Sequence, residues 1–197
     1  MKGPALAGKL VRLAIAIEEL GKYDCSAGLI LLTTRLATTC IALAGTPAQK
    51  DRYLRGVAEG QLRGCFALTE PETGSDAADI TTSAIRDGDG YVLNGIKLWA
   101  GQATVADCAV VVAVSRPGAG AQGVSVFVVD LPHCGLRIVR ELAKMEVLGI
   151  AVVEIDLHNC RVAASALVGE ENNGFRLRNN RLTALPRAEA SSRPYAI

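Results

Sequence analysis

Hydrophobic positions recur every three or four residues through roughly the first third of the chain, which is the period of an α-helix. The pattern predicts one helix over residues 4–20 and a second, apolar nearly all round, over residues 24–44. A third helix is predicted to begin at Thr46, because Pro47 suits the first helical position and Gln49 completes a capping box. These helices carry no reactive group, so we interpret them as packing elements.

From Leu62 onward the period changes to that of β-strands. The continuous apolar run at 108–114 predicts a strand buried on both faces, and the alternation at 153–157 predicts a half-buried one. A hairpin is predicted across residues 87–90, where two glycines can adopt the positive φ of a tight turn. Further strands are expected at 65–68, 81–85, 91–93, 123–129 and 135–139.

These elements predict an α+β fold, with N-terminal helices followed by an antiparallel β-barrel or sandwich domain. The predicted boundaries are an N-terminal helical segment at 1–61, a middle β-domain at 62–170, and the start of a further helical region at 171–197. The last region is expected to be partly disordered, because its pattern is polar and interrupted by Pro186.

Composition removes several classes of function. A net charge of +1 and few aromatic residues argue against nucleic-acid binding. The six cysteines form no C-x-x-C pair and no spacing with the two histidines, so no metal site is predicted and a reducing compartment is favoured. Residues 29–44 are apolar, but Arg35 near their middle favours a buried helix over a membrane span. We therefore expect a cytoplasmic protein, or one of the mitochondrial matrix in a eukaryote.

The stretch 65–79 carries the candidate chemistry. A short apolar strand leads into a loop that Pro71 and Gly74 keep irregular, with hydroxyls at Thr69 and Ser75. Free backbone N–H groups and hydroxyls can hold a polar ring edge or a phosphate without a cation. The alternative is an ordinary polar turn between two strands.

Three motifs in order give this chain a resemblance to the flavin-dependent acyl-CoA dehydrogenases. The first is Ala67-Leu68-Thr69-Glu70-Pro71 followed by Gly74-Ser75-Asp76. The second is the hairpin segment 91–99, which ends on Trp99, and the third runs from Lys144-Met145 to Gly174-Phe175. The resemblance extends from the N-terminal helices to about Phe175, and three ordered motifs are far more specific than one.

The resemblance implies FAD as cofactor and oxidation of an acyl-CoA thioester to the 2,3-enoyl-CoA, in fatty acid metabolism. It also implies an electron-transfer flavoprotein or similar acceptor, and a homo-oligomer when the family's C-terminal domain completes the chain. Ser75 would in addition contact the acyl-CoA. The positions implied to bind the cofactor are Phe66, Ala67, Leu68, Thr69, Gly74, Ser75, Trp99, Ala100 and Gly101.

The chain also departs from the family pattern. Trp99-Ala100-Gly101-Gln102 stands where the family often has Trp-Ile-Thr-Asn, so the hydroxyl that reaches flavin N5 is replaced at most by a backbone N–H. No carboxylate occupies the position after Gly174-Phe175 that supplies the base in one family branch, and Glu70 is interpreted as a loop-fixing acceptor. No catalytic residue is therefore assigned, and a truncated form is expected.

Two alternatives to a dehydrogenase remain open. One is a non-catalytic module that binds FAD or acyl-CoA or only assembles with other subunits. The other is a flavin oxidase or monooxygenase of the same fold.

Overall fold

The structure is a computed structural model that describes residues 4–175, with side chains described from residue 11 onward. Helix α1 spans Pro4–Gly21 and α2 spans Cys25–Ala44. A third helical stretch consists of α3 (Pro47–Gln49), a π-helical segment (Lys50–Arg55) and a final turn, α4 (Gly56–Ala58). The predicted start of a C-terminal helix lies almost wholly outside the described residues.

The sequence-predicted caps are present at the starts of α2 and α3. The Asp24 side chain accepts a hydrogen bond from the backbone N–H of Ser26. Thr46 and Gln49 form the reciprocal capping box, with Pro47 at the first helical position. These side chains satisfy N–H groups that a helix start leaves without intrahelical partners, which is why the helices begin there.

Seven strands form a single curled sheet in the order β1-β4-β2-β3-β7-β6, with β5 on the other edge of β4. The fold class predicted from the sequence is confirmed. The strands are β1 (Gly64–Ala67), β2 (Ser83–Asp87), β3 (Gly90–Gly101), β4 (Cys108–Val114), β5 (Val124–Asp130), β6 (Leu136–Glu141) and β7 (Val152–Ala163).

The sheet is mixed, which corrects the wholly antiparallel arrangement expected from the sequence. The predicted β2–β3 hairpin is antiparallel, as are the pairs β3–β7, β6–β7 and β4–β5. Strands β1 and β2 instead both run parallel to β4, on successive stretches of it. The segment between β1 and β2 begins and ends beside β4. A connection of that length allows both strands to run parallel to β4, which a tight hairpin turn would not.

Strand β4 contributes to two hydrophobic cores. Its Ala109, Val111 and Ala113 point into the interior of the curled sheet, where they meet Phe127 and Tyr91 among others. The alternate set in β4 points the other way and packs beneath α2, where the contacts include Ala37, Cys40 and Ile41. This two-sided burial is what the continuous apolar run predicted.

Helix α2 is long and apolar enough to cross a membrane by length and composition alone. In the folded chain one side of it packs on the outer face of the sheet, and Leu32 packs with Ile17 of α1. These contacts are those of a helix packed in a core, and such a helix can be as long and apolar as a membrane span.

Candidate functional site

The loop that follows β1 is fastened to β3 by three consecutive residues. The Lys97 ammonium donates to the Leu68 carbonyl at 2.9 Å and to the Glu70 carboxylate at 2.7 Å. Between them, the Leu98 backbone N–H donates to the Thr69 carbonyl at 2.7 Å. Leu68, Thr69 and Glu70 are therefore held against one short segment of β3.

Glu70 is the hub of this attachment. Besides Lys97, it accepts hydrogen bonds from the backbone N–H and hydroxyl of Thr81, both at 2.7 Å, and from the Thr82 N–H at 3.0 Å. The carboxylate thus connects the two ends of the loop, because Thr81 and Thr82 lead into β2. The sequence-based interpretation of Glu70 as a loop-fixing acceptor agrees with these contacts.

The buried pair keeps both of its charges near neutral pH. Burial alone would raise the pKa of Glu70, but the Lys97 ammonium and the hydrogen bonds from Lys97, Thr82 and Thr81 outweigh it and lower the pKa to about 2. Burial lowers the pKa of Lys97 to about 8, against the opposing attraction of the Glu70 carboxylate. An ionised carboxylate already engaged by four donors is a poor general base.

Next to this attachment, β3 contains a bulge that redirects Trp99. The register with β7 shifts between Lys97 and Ala100, and Trp99 has a φ of 60°. A left-handed backbone is unfavourable for a large L-residue and costs about 1–2 kcal/mol, so the surroundings must hold it. The bulge leaves the indole 54% exposed instead of buried in the sheet interior.

A cavity of about 320 Å³ lies between the bulge, the loop and α2. Phe66, Leu68, Thr69, Trp99 and Gly101 line it from the sheet side. The remaining lining residues are Leu29, Thr33 and Leu36 of α2, together with Leu98, Ile150 and Val152. The volume is at the lower end of the ~300–1,000 Å³ typical of small-molecule sites.

The far end of the bulge is fixed to α2. The Gln102 side chain donates to the Ile30 carbonyl at 3.1 Å and to the Thr33 hydroxyl, and Gln102 itself is left-handed with a φ of 64°. A Cβ at Gly101 would come within 3.3 Å of the Thr33 methyl group. A glycine at this position therefore lets β3 approach α2 closely and closes one wall of the cavity.

The sequence-predicted cofactor positions fall into three groups. Phe66, Leu68, Thr69, Trp99 and Gly101 line the one cavity. Ala67 and Ala100 are buried, and their side chains belong to the interior core of the sheet. Gly74 and Ser75 are exposed on the loop outside the cavity, and a Cβ at Gly74 would meet nothing within 4 Å.

The cavity is suited to binding a flat apolar ring with a polar edge. Among the described residues, nothing hydrogen-bonds the Thr69 hydroxyl, so it is available to a ligand. No Asp or Glu is among the residues that line this cavity. Thiolate chemistry is disfavoured nearby, since burial raises the pKa of both Cys65 and Cys108 to about 12.

Sequence reasoning missed two parts of this site. One is Lys97, although a strict two-residue alternation from Tyr91 and Leu93 places it on the buried face, where a lysine requires a partner. The other is the α2 wall, because Leu29, Thr33 and Leu36 read as ordinary helix-packing positions. No local signal distinguishes a cavity-lining leucine from one in a core.

Two family models match most of the chain. The model described as acyl-CoA dehydrogenase, N-terminal domain, matches residues 3–61, and the one described as acyl-CoA dehydrogenase, middle domain, matches residues 65–160. Cyclohex-1-ene-1-carbonyl-CoA dehydrogenase of Geobacter metallireducens is 38% identical over 167 residues, which are 84% of this chain and 44% of that protein. The chain thus spans less than half the length of this curated relative.

Solved structures show the same fold. A chain in the structure of the electron transferring flavoprotein of Acidaminococcus fermentans, from work on flavin-based electron bifurcation, superposes with a TM-score of 0.88 at 33% identity. That match covers 91% of this chain and 47% of the other. The structure of PigA with FAD and proline gives a TM-score of 0.86 at 27% identity, over 91% of this chain and 48% of PigA.

Proposed function

Because this chain belongs to the acyl-CoA dehydrogenase family, we propose that it binds FAD in the cavity between Thr69 and Trp99 and serves the oxidation of an acyl-CoA thioester to its 2,3-enoyl-CoA. The observation that carries the proposal is that a free hydroxyl and an exposed indole line one apolar cavity. The bulge and the loop that present them are fastened to each other.

The residues of the cavity divide the binding of FAD among them. Trp99 supplies a flat wall with a large contact area. The Thr69 hydroxyl donates to the polar edge of the ring, and Phe66 and Leu68 exclude water from its apolar part. Gly74 and Ser75 present N–H groups and a hydroxyl where a phosphate or the thioester arm of acyl-CoA would pass. FAD, when bound, supplies the acceptor for the hydride that leaves the acyl chain.

The relatives support this assignment. The Geobacter metallireducens protein is by its name a dehydrogenase of a CoA thioester, and PigA was solved with FAD. The Acidaminococcus fermentans structure concerns an electron transferring flavoprotein, which supports such a protein as the electron acceptor. Assembly into a homo-oligomer and a location in the cytoplasm or mitochondrial matrix belong to the same proposal.

A second candidate function is that these residues bind the flavin but do not by themselves catalyse dehydrogenation. It is favoured by one observation, that no carboxylate among the described residues lines the cavity. Removal of the α-proton needs a base within hydrogen-bond reach, and the loss of a general base costs about 10²–10⁴-fold in rate. Anaerobic addition of butyryl-CoA or octanoyl-CoA to the FAD-loaded chain separates the two candidates, because only a dehydrogenase bleaches the flavin.

The FAD site itself is tested by titration. FAD is added to the wild-type chain and to Trp99→Ala and Thr69→Ala, and flavin fluorescence is followed. Losing the Thr69 hydroxyl removes one hydrogen bond, about 1 kcal/mol or a five-fold weaker Kd, and losing the indole costs more. Ile85→Ala and Ser165→Ala, which remove an exposed side chain away from the cavity, serve as matched controls. Equal FAD affinity in the wild type and both cavity variants would place the site elsewhere.

A further inference from the structure

A fully buried ion pair lies beside the cavity but does not line it. Lys97 is 0% and Glu70 is 4% exposed, and neither is among the residues that line the cavity. Burying two charges is costly even when they are paired, and an apolar pair of similar volume is often at least as stable. A role in general stability is therefore a weak explanation for this pair, and its geometry suggests another.

The pair connects two walls of the cavity, namely the loop that carries Thr69 and the bulge that carries Trp99. Lys97 precedes the bulge that directs Trp99, and Glu70 follows Thr69 directly. The 2.7 Å ammonium–carboxylate contact and the 2.9 Å bond to the Leu68 carbonyl lie on either side of the Leu98–Thr69 backbone bond. A shift of either side chain would move both Thr69 and Trp99.

We propose that Lys97 and Glu70 are positioning residues, which hold the Thr69 loop against the Trp99 bulge and so set the geometry of the cavity between them. For the identity of the ligand the inference rests on the proposed function, but its decisive measurements need no ligand. Both residues act through their neighbours, since neither lines the cavity.

The strained backbone of the bulge supports this role. Trp99 and Gln102 are both left-handed, so this part of β3 would relax if it were free at either end. The Gln102 side chain fixes one end to α2, and the Gln102 N–H donates to the Ala151 carbonyl at 2.9 Å. Lys97 and Leu98 fix the other end to the loop. The bulge is thus held on both sides of Trp99, and the buried pair contributes to the restraint on the side of the loop.

Trp99 is the single tryptophan of the chain, so its fluorescence reports on the bulge alone. The test variant is the neutral double substitution Lys97→Met with Glu70→Gln, which leaves an amide oxygen to accept from Thr81 and Thr82. The matched control is Arg140→Met with Glu154→Gln, which removes a β6–β7 ion pair with the same 2.7 Å separation at the surface.

The double variant is expected to keep the wild-type circular dichroism and a cooperative melt, because no unpaired charge is left behind. Acrylamide quenching of Trp99 should nevertheless change by about two-fold or more, since the bulge would then sample other positions. The Kd for FAD should rise by about ten-fold, as expected when site residues are no longer held in place. The control pair should change neither. Wild-type quenching and wild-type FAD affinity in the double variant would overturn the proposal.

Hydrogen exchange on the wild-type chain gives a test that requires no variant. The Leu98, Thr81 and Thr82 amides are expected to be protected like those of β4, about 100-fold or more above the Gly74 amide of the same loop. Exchange of Leu98 as fast as Gly74 would overturn the proposal, because the loop and bulge would then not be fastened together.

These outcomes also separate the positioning role from the proposed function. If FAD fails to bind the wild type while quenching and exchange behave as expected, the proposed function is wrong and the positioning role stands. If FAD binds the double variant as tightly as the wild type and quenching is unchanged, the positioning role is wrong and the proposed function stands.

Discussion

The β4–β5 region and the loop–bulge region are held by opposite kinds of interaction. In β4 and β5 nearly every side chain is buried, and alternate residues feed one core inside the curled sheet and another under α2. In the loop and bulge the hold comes from one buried ion pair and a few backbone hydrogen bonds, which keep two strained left-handed residues in place.

The difference separates the interactions that stabilise the folded chain from those that fix the positions of Thr69 and Trp99. Apolar burial is non-directional, so β4 and β5 tolerate changes that conserve volume and lose free energy when volume is removed. Hydrogen bonds to a buried charge are directional, so the loop and bulge depend on particular atoms. We therefore expect the first region to determine whether the chain folds and the second to determine where Thr69 and Trp99 lie.

The largest effect is expected from removing volume in the first region. Phe127 is fully buried and packs edge-on against Tyr91, with ring centroids 4.9 Å apart. Phe127→Ala should lower the free energy of unfolding by about 3–5 kcal/mol, because it leaves a cavity at the centre of the sheet. Urea denaturation measures the loss, and Val139→Ala on the exposed strand β6 is the control. If Phe127→Ala costs no more than Val139→Ala, the interior core does not carry the stability assigned to it.

Acid should weaken the second region selectively. The folded-state pKa of Glu70 is about 2, below its ordinary value of 4.5, so the unfolded chain binds more protons in acid. The contribution of Glu70 is present above pH 4.5 and is lost as the pH falls towards about 2. Urea melts of the wild type and Glu70→Gln at about pH 5 and about pH 2.5 measure this component.

In that experiment the wild type should lose more stability than Glu70→Gln between the two pH values. Equal losses would mean that the carboxylate is not engaged as the structure has it, and the contrast between the two regions would then disappear.

A smaller effect is expected at the helix that borders the first region. Thr46 caps α3 while Gln49 of the same capping box donates to the Ser165 and Leu167 carbonyls. Thr46→Ala should cost about 1 kcal/mol, and Thr46→Ser, which keeps the hydroxyl, about half of that or less. Thermal melts compare the two. A melt of Thr46→Ala that coincides with the wild type would show that the cap is not needed here.

The smallest effect is expected from a surface ion pair that resembles the buried one only in distance. Arg140 and Glu154 lie 2.7 Å apart, with the arginine side chain 65% and the glutamate side chain 15% exposed. Arg140→Met should cost less than about 1 kcal/mol, because solvent screens exposed charges and ordering two long side chains costs entropy. Chemical denaturation at low and high salt measures it. A cost as large as that of Lys97→Met, measured in the same way, would mean that burial is not what distinguishes the two pairs.

The two regions also differ in how far the sequence predicts them. Strand β4 was predicted with the bounds that the structure has, because a continuous apolar run of this length indicates a strand buried on both faces. The parallel pairing of β1 and β2 with β4 was not predicted, since alternation describes which face is buried and not which neighbour lies alongside.

In the site, the motif residues pointed to the loop and to Trp99, but the geometry between them was hidden. The bulge depends on a register shift against β7, which is far away in sequence. Lys97 could have been recognised from its place in the alternation, whereas its partners Leu68 and Glu70 could not, because they are reached only through the fold.

The loop between β1 and β2 has a consequence for how the chain can vary. It leaves the edge of β4 where Ala67 pairs with Val111 and returns where Ser83 pairs with Val114, so its ends are only about 10 Å apart along that strand. A closed excursion of this kind can lengthen, shorten or be exchanged without shifting any strand register, and each doubling of its length costs only about 0.6 kcal/mol in loop-closure entropy. The segment can thus vary, by natural divergence or by grafting, provided that Glu70 and the Thr81–Thr82 anchor are transferred with it.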